Sequence, residues 1–377
     1  MRQRSQRRCL TTGLALTVIV SSVLVVRSSA SARAQDFPGA ISDQELWRIV
    51  TEFSEPGGAF PREFMSNEDS AQFVIPTLKE TARPGGIYIG VGAEQNFTYI
   101  AALRPKIAFV VDIRRDNMLL HLMYKALFEL SADRADFVSR LFSRQRPTGV
   151  GADSTVKALF EAYEAIAPDR GLFQENLRAV VDRLVHAHTF QLRAADEDAI
   201  ARIMYEFGGA GPYGMRGRGD LSVSFAHMMM STDLAGREHG FLASEENFRI
   251  VRDIQKQNLI VPLVGDFAGD KTIVSVGRYL KEHGATVNVF YVSNVERYLF
   301  EQGARGRRFY GNVAALPLDA SSTFIRSVTV DISRRLGIRI PSGVTHWRSF
   351  LFSIRDCLKA FDAGRLDTYG ALFEGAG

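Results

Sequence analysis

The chain has 377 residues, of which 46% are apolar, enough to bury a sizeable core, so it reads as globular rather than disordered. Its formal net charge of +4 arises in residues 1–34, which hold six arginines and no acidic residue; the remainder sets 40 basic residues against 42 acidic ones. The body therefore has no global attraction for nucleic acid or anionic lipid, and a small-molecule substrate is the expected partner.

The N-terminus opens with MRQRSQRR, continues with an uncharged run from Cys9 to Val26, and ends in SSASARA, where Ala32 and Ala34 suit a small-residue cleavage site. Residues 1–34 thus have the pattern of a secretory signal peptide. Arg7 and Arg8 loosely fit a twin-arginine export signal. The alternative is an uncleaved membrane anchor, since the apolar run is just long enough to span a bilayer. Either way the body is expected to be exported, periplasmic or tethered through its N-terminus; a misassigned start would leave it cytoplasmic. Only Cys357 remains in the body, so no internal disulfide is expected, and no CxxC, HExxH or Cys/His cluster points to a metal.

Residues 41–81 have helical patterning, with Ser66 and Asp69 of SNEDSAQFVIPTLKE placed as a capping signal. Pro84, Gly85 and Gly86 end it. Strands are expected at Ile87 to Val91 and Ile107 to Val111, separated by a short helix over Asn96 to Leu103. A longer, deeply packed helix follows Asp116 and Asn117. This strand–helix alternation is the grammar of a parallel sheet. It lapses over residues 131–255, which read as a mostly helical insertion or cap containing STVKALFEAYEAIA, ENLRAVVDRLVHAHTF and the glycine-rich GGAGPYGMRGRGD, a candidate lid. It resumes with the strand LIVPLVGDF, a helix closing on Gly284, a strand over Thr286 to Val292, and a late strand in TFIRSVTVDI. THWRSFLFSIRDCLKAF is expected to form a terminal amphipathic helix. The fold class is α/β, a three-layer doubly wound, mostly parallel sheet in which residues 41–130 and 256–377 share one domain.

In such sheets, ligands bind beyond the carboxyl ends of the strands where strand order reverses. Four expected strand ends carry unusual residues: Gly90 and Gly92, Asp112, Gly265 and Asp266, and Ser293 and Asn294. Glycines at 90 and 92 leave room for close backbone approach and a tight turn. Asp112 follows Gly92 by 20 residues, the spacing at which a carboxylate receives ribose hydroxyls. Asp266 or the Phe267 backbone is placed to meet an adenine edge, and Asn294 to face a substrate. A third glycine would stand at position 95 in a dinucleotide fingerprint, but the chain has Gln95 there beside Glu94, which would repel a pyrophosphate. A cofactor without pyrophosphate, such as S-adenosylmethionine, has no need of that cradle, and its ammonium is a candidate partner for Glu94. NADP stays open because Arg114 and Arg115 follow Asp112.

Other candidates read more plainly as structure. His121 and Tyr124 lie on an apolar helix and suit packing. His186 and His188 face different ways, His227 and His239 flank a core-like MMM run, and Arg305, Arg307 and Arg308 form a local basic loop able to hold an anionic substrate.

GIYIGVGAEQNF and VVDIRRDN resemble the first two motifs of class I S-adenosylmethionine-dependent methyltransferases, and IVPLVGDF their third, over residues 84–130 and 258–300. SNEDSAQF, GAEQNFTYI, VGDFAGDK, FYVSNVERYLF and LPLDASSTFIRS are similar to an uncharacterised bacterial family of Rossmann-type proteins, from about Glu45 to Arg335. The resemblance implies a Rossmann/methyltransferase-like domain that transfers a methyl group from S-adenosylmethionine to a small molecule, with Asn294 or Glu296 orienting the acceptor. Ser293 and Asn294 replace the prolyl turn common in amino-methylating members, which argues against methylation of bases or glutamine. Two alternatives stand beside it: an exported binding or structural protein without catalysis, and an NAD(P)-binding oxidoreductase.

Overall fold

The computed structural model describes residues 37–61, 63–83, 85–217, 223–340, 344 and 346–373. The leader assigned to residues 1–34 lies outside them, as does part of the glycine-rich GGAGPYGMRGRGD stretch.

Six strands form one sheet: β1 (Ile87–Gly90), β2 (Ala108–Asp112), β3 (Ile260–Val264), β4 (Val287–Ser293), β5 (Leu318–Thr329) and β6 (Trp347–Ser353). Their order is β3-β2-β1-β4-β5-β6, with β1 to β5 parallel and β6 antiparallel to β5. The protein is therefore α/β with a mostly parallel sheet. Every residue of β1, β2 and β3 is buried, which is why these strands read as unbroken apolar runs rather than alternating ones. Pro262 sits within β3 without breaking the sheet because β3 is an edge strand, paired only to β2.

The chain winds outward from β1 through β2 to β3, then crosses back to place β4 on the other side of β1. Strand order thus reverses between β1 and β4, and their carboxyl ends part there. Between the helix Arg115–Leu130 and β3, the described part of residues 131–255 holds helices, turns and two isolated bridges. The last of these helices, Glu245–Lys256, packs on the helices Gln95–Leu103 and Arg115–Leu130. The described residues form one compact unit, and their buried apolar side chains make a single contiguous core.

Two local expectations are corrected. WRSFLFS is strand β6, and the helix begins only at Ile354, with Ser353 as its cap. Pairing with β5 over seven residues supplies the backbone hydrogen bonds that a helix would otherwise make internally. Ser66 and Asp69 start no helix. The Asp69 carboxylate accepts the backbone N–H groups of His346 and Trp347 and so ties this segment to β6.

Candidate functional site

A cavity of about 790 Å³ opens at the carboxyl ends of β1 to β4. That volume suits a ligand the size of a nucleoside cofactor. Gly92, Asp112, Asp266, Phe267 and Asn294 all line it, so five of the eight residues singled out from the sequence come together on its wall. Gly90, Glu94 and Glu296 do not line it.

The glycine turn is built by the helices behind it. Gly92 has φ +77°, a conformation that favours glycine, and its carbonyl accepts hydrogen bonds from Asn117 Nδ2 at 3.0 Å and His121 Nε2 at 2.8 Å. Burial lowers the His121 pKa to about 4, so the ring is neutral at physiological pH and donates through Nε2. Tyr124, one turn on, packs edge-on against Phe97. Both residues serve packing and bracing, as expected from their apolar helix.

Gly90 has a different task from the one anticipated. A Cβ there would lie 1.9 Å from Asn96 Oδ1, so the missing side chain makes room for Asn96 rather than for a ligand. Asn96 Nδ2 in turn donates to the carbonyls of Val91 at 2.9 Å and Ala93 at 2.7 Å, holding the turn closed. Glu94 is corrected as well: it is fully buried, and both its oxygens accept the Ser66 N–H, at 3.1 and 3.0 Å. Burial pushes its pKa up to about 8. Glu296 turns inward from its helix Val295–Glu301 onto Arg326, with contacts of 2.6 and 3.0 Å, and accepts from Tyr310 Oη at 2.6 Å. Arg326 lies between the rings of Phe324 and Phe352, each 4.7 Å away. This buried pair cements β5 to its helices and does not line the cavity.

Asp112 faces the cavity but is already engaged. Its Oδ1 accepts Arg114 N at 2.8 Å and Nε at 3.0 Å, and its Oδ2 accepts Arg114 Nη2 at 2.8 Å. Burial works against the Arg114 charge, yet the hydrogen bonds and charge of Asp112 outweigh it and raise the Arg114 pKa. Arg114 Nη1 donates to the carbonyl of Glu63 at 2.7 Å, so the same guanidinium fastens the segment that roofs the cavity. That roof, residues 59–68, carries no secondary structure from residues 59 to 68 where described, and went unrecognised in the sequence as a functional part. Its other moorings are Gly58 N to the Ile113 carbonyl at 2.7 Å and Glu55, whose carboxylate accepts the N–H groups of Asp266, Lys271 and Thr272. Glu55 therefore satisfies the amino end of the helix Thr272–Glu282. The run EPGGAFPRE contains the only hint: two glycines between helices, of which Gly58 admits no Cβ because Ile113 would lie 2.5 Å away.

At the β4 end, Ser293 has φ +51°, unusual for a residue with a side chain, and hydrogen-bonds Glu68 from the roof. Glu68 Oε2 also accepts from Ser327 Oγ on β5. Burial pushes the Glu68 carboxyl pKa up. Asn294 begins the helix Val295–Glu301 beside it. Across the cavity, Asp266 pairs with Arg305 and its Oδ1 accepts Ala268 N at 2.9 Å, while Phe267 stacks on Phe309 at 5.8 Å.

Several of the remaining candidates have structural partners. His188 lies between Asp43 at 2.8 Å and Glu129 at 2.7 Å, His239 bonds Asp233 at 2.9 Å, and Arg308 pairs with Asp270. Met228 and Met229 are buried in the core. Among the described residues there is no cluster able to hold a metal ion, and no helix is long and apolar enough to cross a membrane.

Residues 64–360 match a family model described as "Domain of unknown function (DUF7790)". No curated protein matches the chain.

Proposed function

The chain belongs to the DUF7790 family, and we propose that it is a Rossmann/methyltransferase-like protein that binds S-adenosylmethionine and acts on a small molecule. The observation that carries this reading is the position of the cavity. It lies at the point of strand-order reversal, with a glycine at φ +77° on β1's tip and a carboxylate on β2's tip lining the same space.

In this reading Asp112 receives a ribose hydroxyl on Oδ2, which takes a single N–H from Arg114 and keeps acceptor capacity. Phe267 and Asp266 flank the base. Gly92 lets the backbone approach the ligand, and Asn294 orients the acceptor at the β4 end. Bound there, S-adenosylmethionine supplies an electrophilic methyl group, and the protein's contribution is chiefly to align the acceptor and exclude water beneath the roof. NADP is disfavoured because both arginines that follow Asp112 are committed, Arg114 to Asp112 and Arg115 to Asp196 at 2.8 Å. The export pattern of the leader favours a second reading, an exported nucleoside-binding protein without transfer activity, because S-adenosylmethionine is a cytosolic metabolite.

Thermal unfolding of the purified protein with S-adenosylmethionine, S-adenosylhomocysteine, NAD or NADP tests the ligand. The adenosyl amino acids are expected to raise Tm and the dinucleotides to leave it unchanged. Stabilisation by NAD or NADP alone would replace this reading with an oxidoreductase. Fusing residues 1–40 to a reporter active only outside the cytoplasm tests export, and a silent reporter would remove the ground for the non-catalytic reading.

A further inference from the structure

We propose that Glu68 is the cation-recognition residue of the cavity, its carboxylate facing the sulfonium centre of the bound ligand at the β4 end. The inference rests on the S-adenosylmethionine reading and adds to it the residue that tells the charged cofactor from its neutral product.

Glu68 lines the cavity while being only 2% exposed. Among the described residues no basic side chain pairs with it; the groups facing it are hydroxyls. Ser293 Oγ from β4 and Ser327 Oγ from β5 each hydrogen-bond one of its oxygens. Tyr291 on β4 also hydrogen-bonds it, and Tyr88 on β1, Tyr99 and Tyr369 lie close enough to interact with its charge. Tyr99 and Tyr291 pack edge to face at 5.1 Å. The charged neighbours of Glu68 include Glu63, which disfavours its ionisation, and the adjacent Asp69, which is held by the N–H groups of His346 and Trp347 and by the His346 ring, Nδ1 to Oδ2 at 3.1 Å.

A buried carboxyl without a counter-ion is costly to ionise, and unlike Glu94, which does not line the cavity, Glu68 borders it, where a ligand can supply the missing charge. Carboxylates offer four acceptor positions, so three hydroxyl contacts leave room for a further partner. Neighbouring strands are about 4.8 Å apart, so the β4 tip, where Ser293 holds Glu68, stands two strands and about 10 Å from the β2 tip that carries Asp112.

The charge state of Glu68 then controls which ligand binds. A cation binds the ionised carboxylate better, so affinity for S-adenosylmethionine rises with pH through the raised Glu68 pKa, whereas the neutral sulfur of S-adenosylhomocysteine gains nothing. Isothermal titration with both ligands between pH 5 and 7, below the range in which an α-amino group titrates, reads this directly. In the unaltered protein the ratio of the two affinities is expected to move toward S-adenosylmethionine by up to about tenfold for each pH unit below the raised Glu68 pKa. Glu68→Gln is expected to flatten the ratio and weaken S-adenosylmethionine about tenfold while leaving S-adenosylhomocysteine within about twofold. Equal weakening of both ligands, or a ratio in the unaltered protein that does not move with pH, overturns the assignment while leaving the cofactor reading intact. Should Glu68→Gln fail to fold, the pH series on the unaltered protein decides alone. Binding of neither ligand at any pH overturns the cofactor reading and this assignment with it.

Discussion

The guanidinium of Arg114 lies along the carboxylate of Asp112, Nε to Oδ1 at 3.0 Å and Nη2 to Oδ2 at 2.8 Å, and both side chains are nearly buried. Asp112, which we propose holds a ribose, thus also holds the roof, through Arg114 Nη1 and the Glu63 carbonyl. Removing either partner leaves the other's charge poorly solvated. Asp112→Asn and Arg114→Met are each expected to cost about 3 kcal/mol of stability, while the double variant loses clearly less than the sum. Urea unfolding of all four proteins measures the coupling; additive losses would show that the two side chains do not act as a pair.

Gly90 and Gly92 are separated by one residue and respond to an added methyl for different reasons and by different amounts. At Gly90 the Cβ meets Asn96 Oδ1 at 1.9 Å and Tyr88 at 2.7 Å, so Gly90→Ala displaces the side chain that gathers the turn's carbonyls. Overpacking of this kind costs about 2 to 3 kcal/mol. At Gly92 nothing lies within 4 Å, and the cost of Gly92→Ala is the conformational one, about 1 kcal/mol at φ +77°. Chemical denaturation of the two variants is expected to rank Gly90→Ala as the less stable, even though only Gly92 borders the cavity.

This difference marks what the sequence could reveal. The parallel sheet was legible because strands buried on both faces are apolar without interruption, and their tips stood out as Gly92, Asp112, Asp266 and Asn294 against that background. Burial direction was not legible where one helical turn decides it: Glu296 lies two residues from Asn294 yet points to Arg326. Strand β6 was hidden because its partner, β5, is fixed by long-range pairing rather than by local pattern. The roof was least visible of all. Its moorings are single contacts between residues far apart in sequence, Ser66 with Glu94 and Ser293 with Glu68, and such contacts leave no periodicity.

Glu94 gives the fold an unusual pH dependence. Its pKa is about 8 in the folded protein because of burial, against about 4.3 for an unfolded chain. Between these values the folded state keeps a proton that the unfolded state has released. Its contribution is therefore complete below the unfolded pKa, declines as pH rises, and levels off above about 8. Glu94→Gln retains an oxygen for the Ser66 N–H and cannot ionise. It is expected to match the unaltered protein near pH 5 and exceed it by on the order of a few kcal/mol at pH 8. Urea midpoints across pH 5 to 8.5 test this; a variant less stable than the parent at pH 8 would contradict the assigned burial.

Ser293 combines strain with a contact, and substitution separates the two. Its φ of +51° is costly for any side chain, while its hydroxyl bonds Glu68, a buried carboxyl. Ser293→Ala keeps the strain and loses the hydrogen bond. Ser293→Gly loses the same bond but relaxes the backbone, so it is expected to be about 1 kcal/mol more stable than the alanine variant, the reverse of the order found in ordinary strand positions. Both variants deprive Glu68 of a donor that favours its ionised form, so any dependence of ligand affinity on Glu68 ionisation should shift to higher pH in the two alike. Thermal unfolding reads the first effect and ligand titration against pH the second; a glycine variant less stable than alanine would mean that the left-handed backbone at the β4 tip is not where the strain resides.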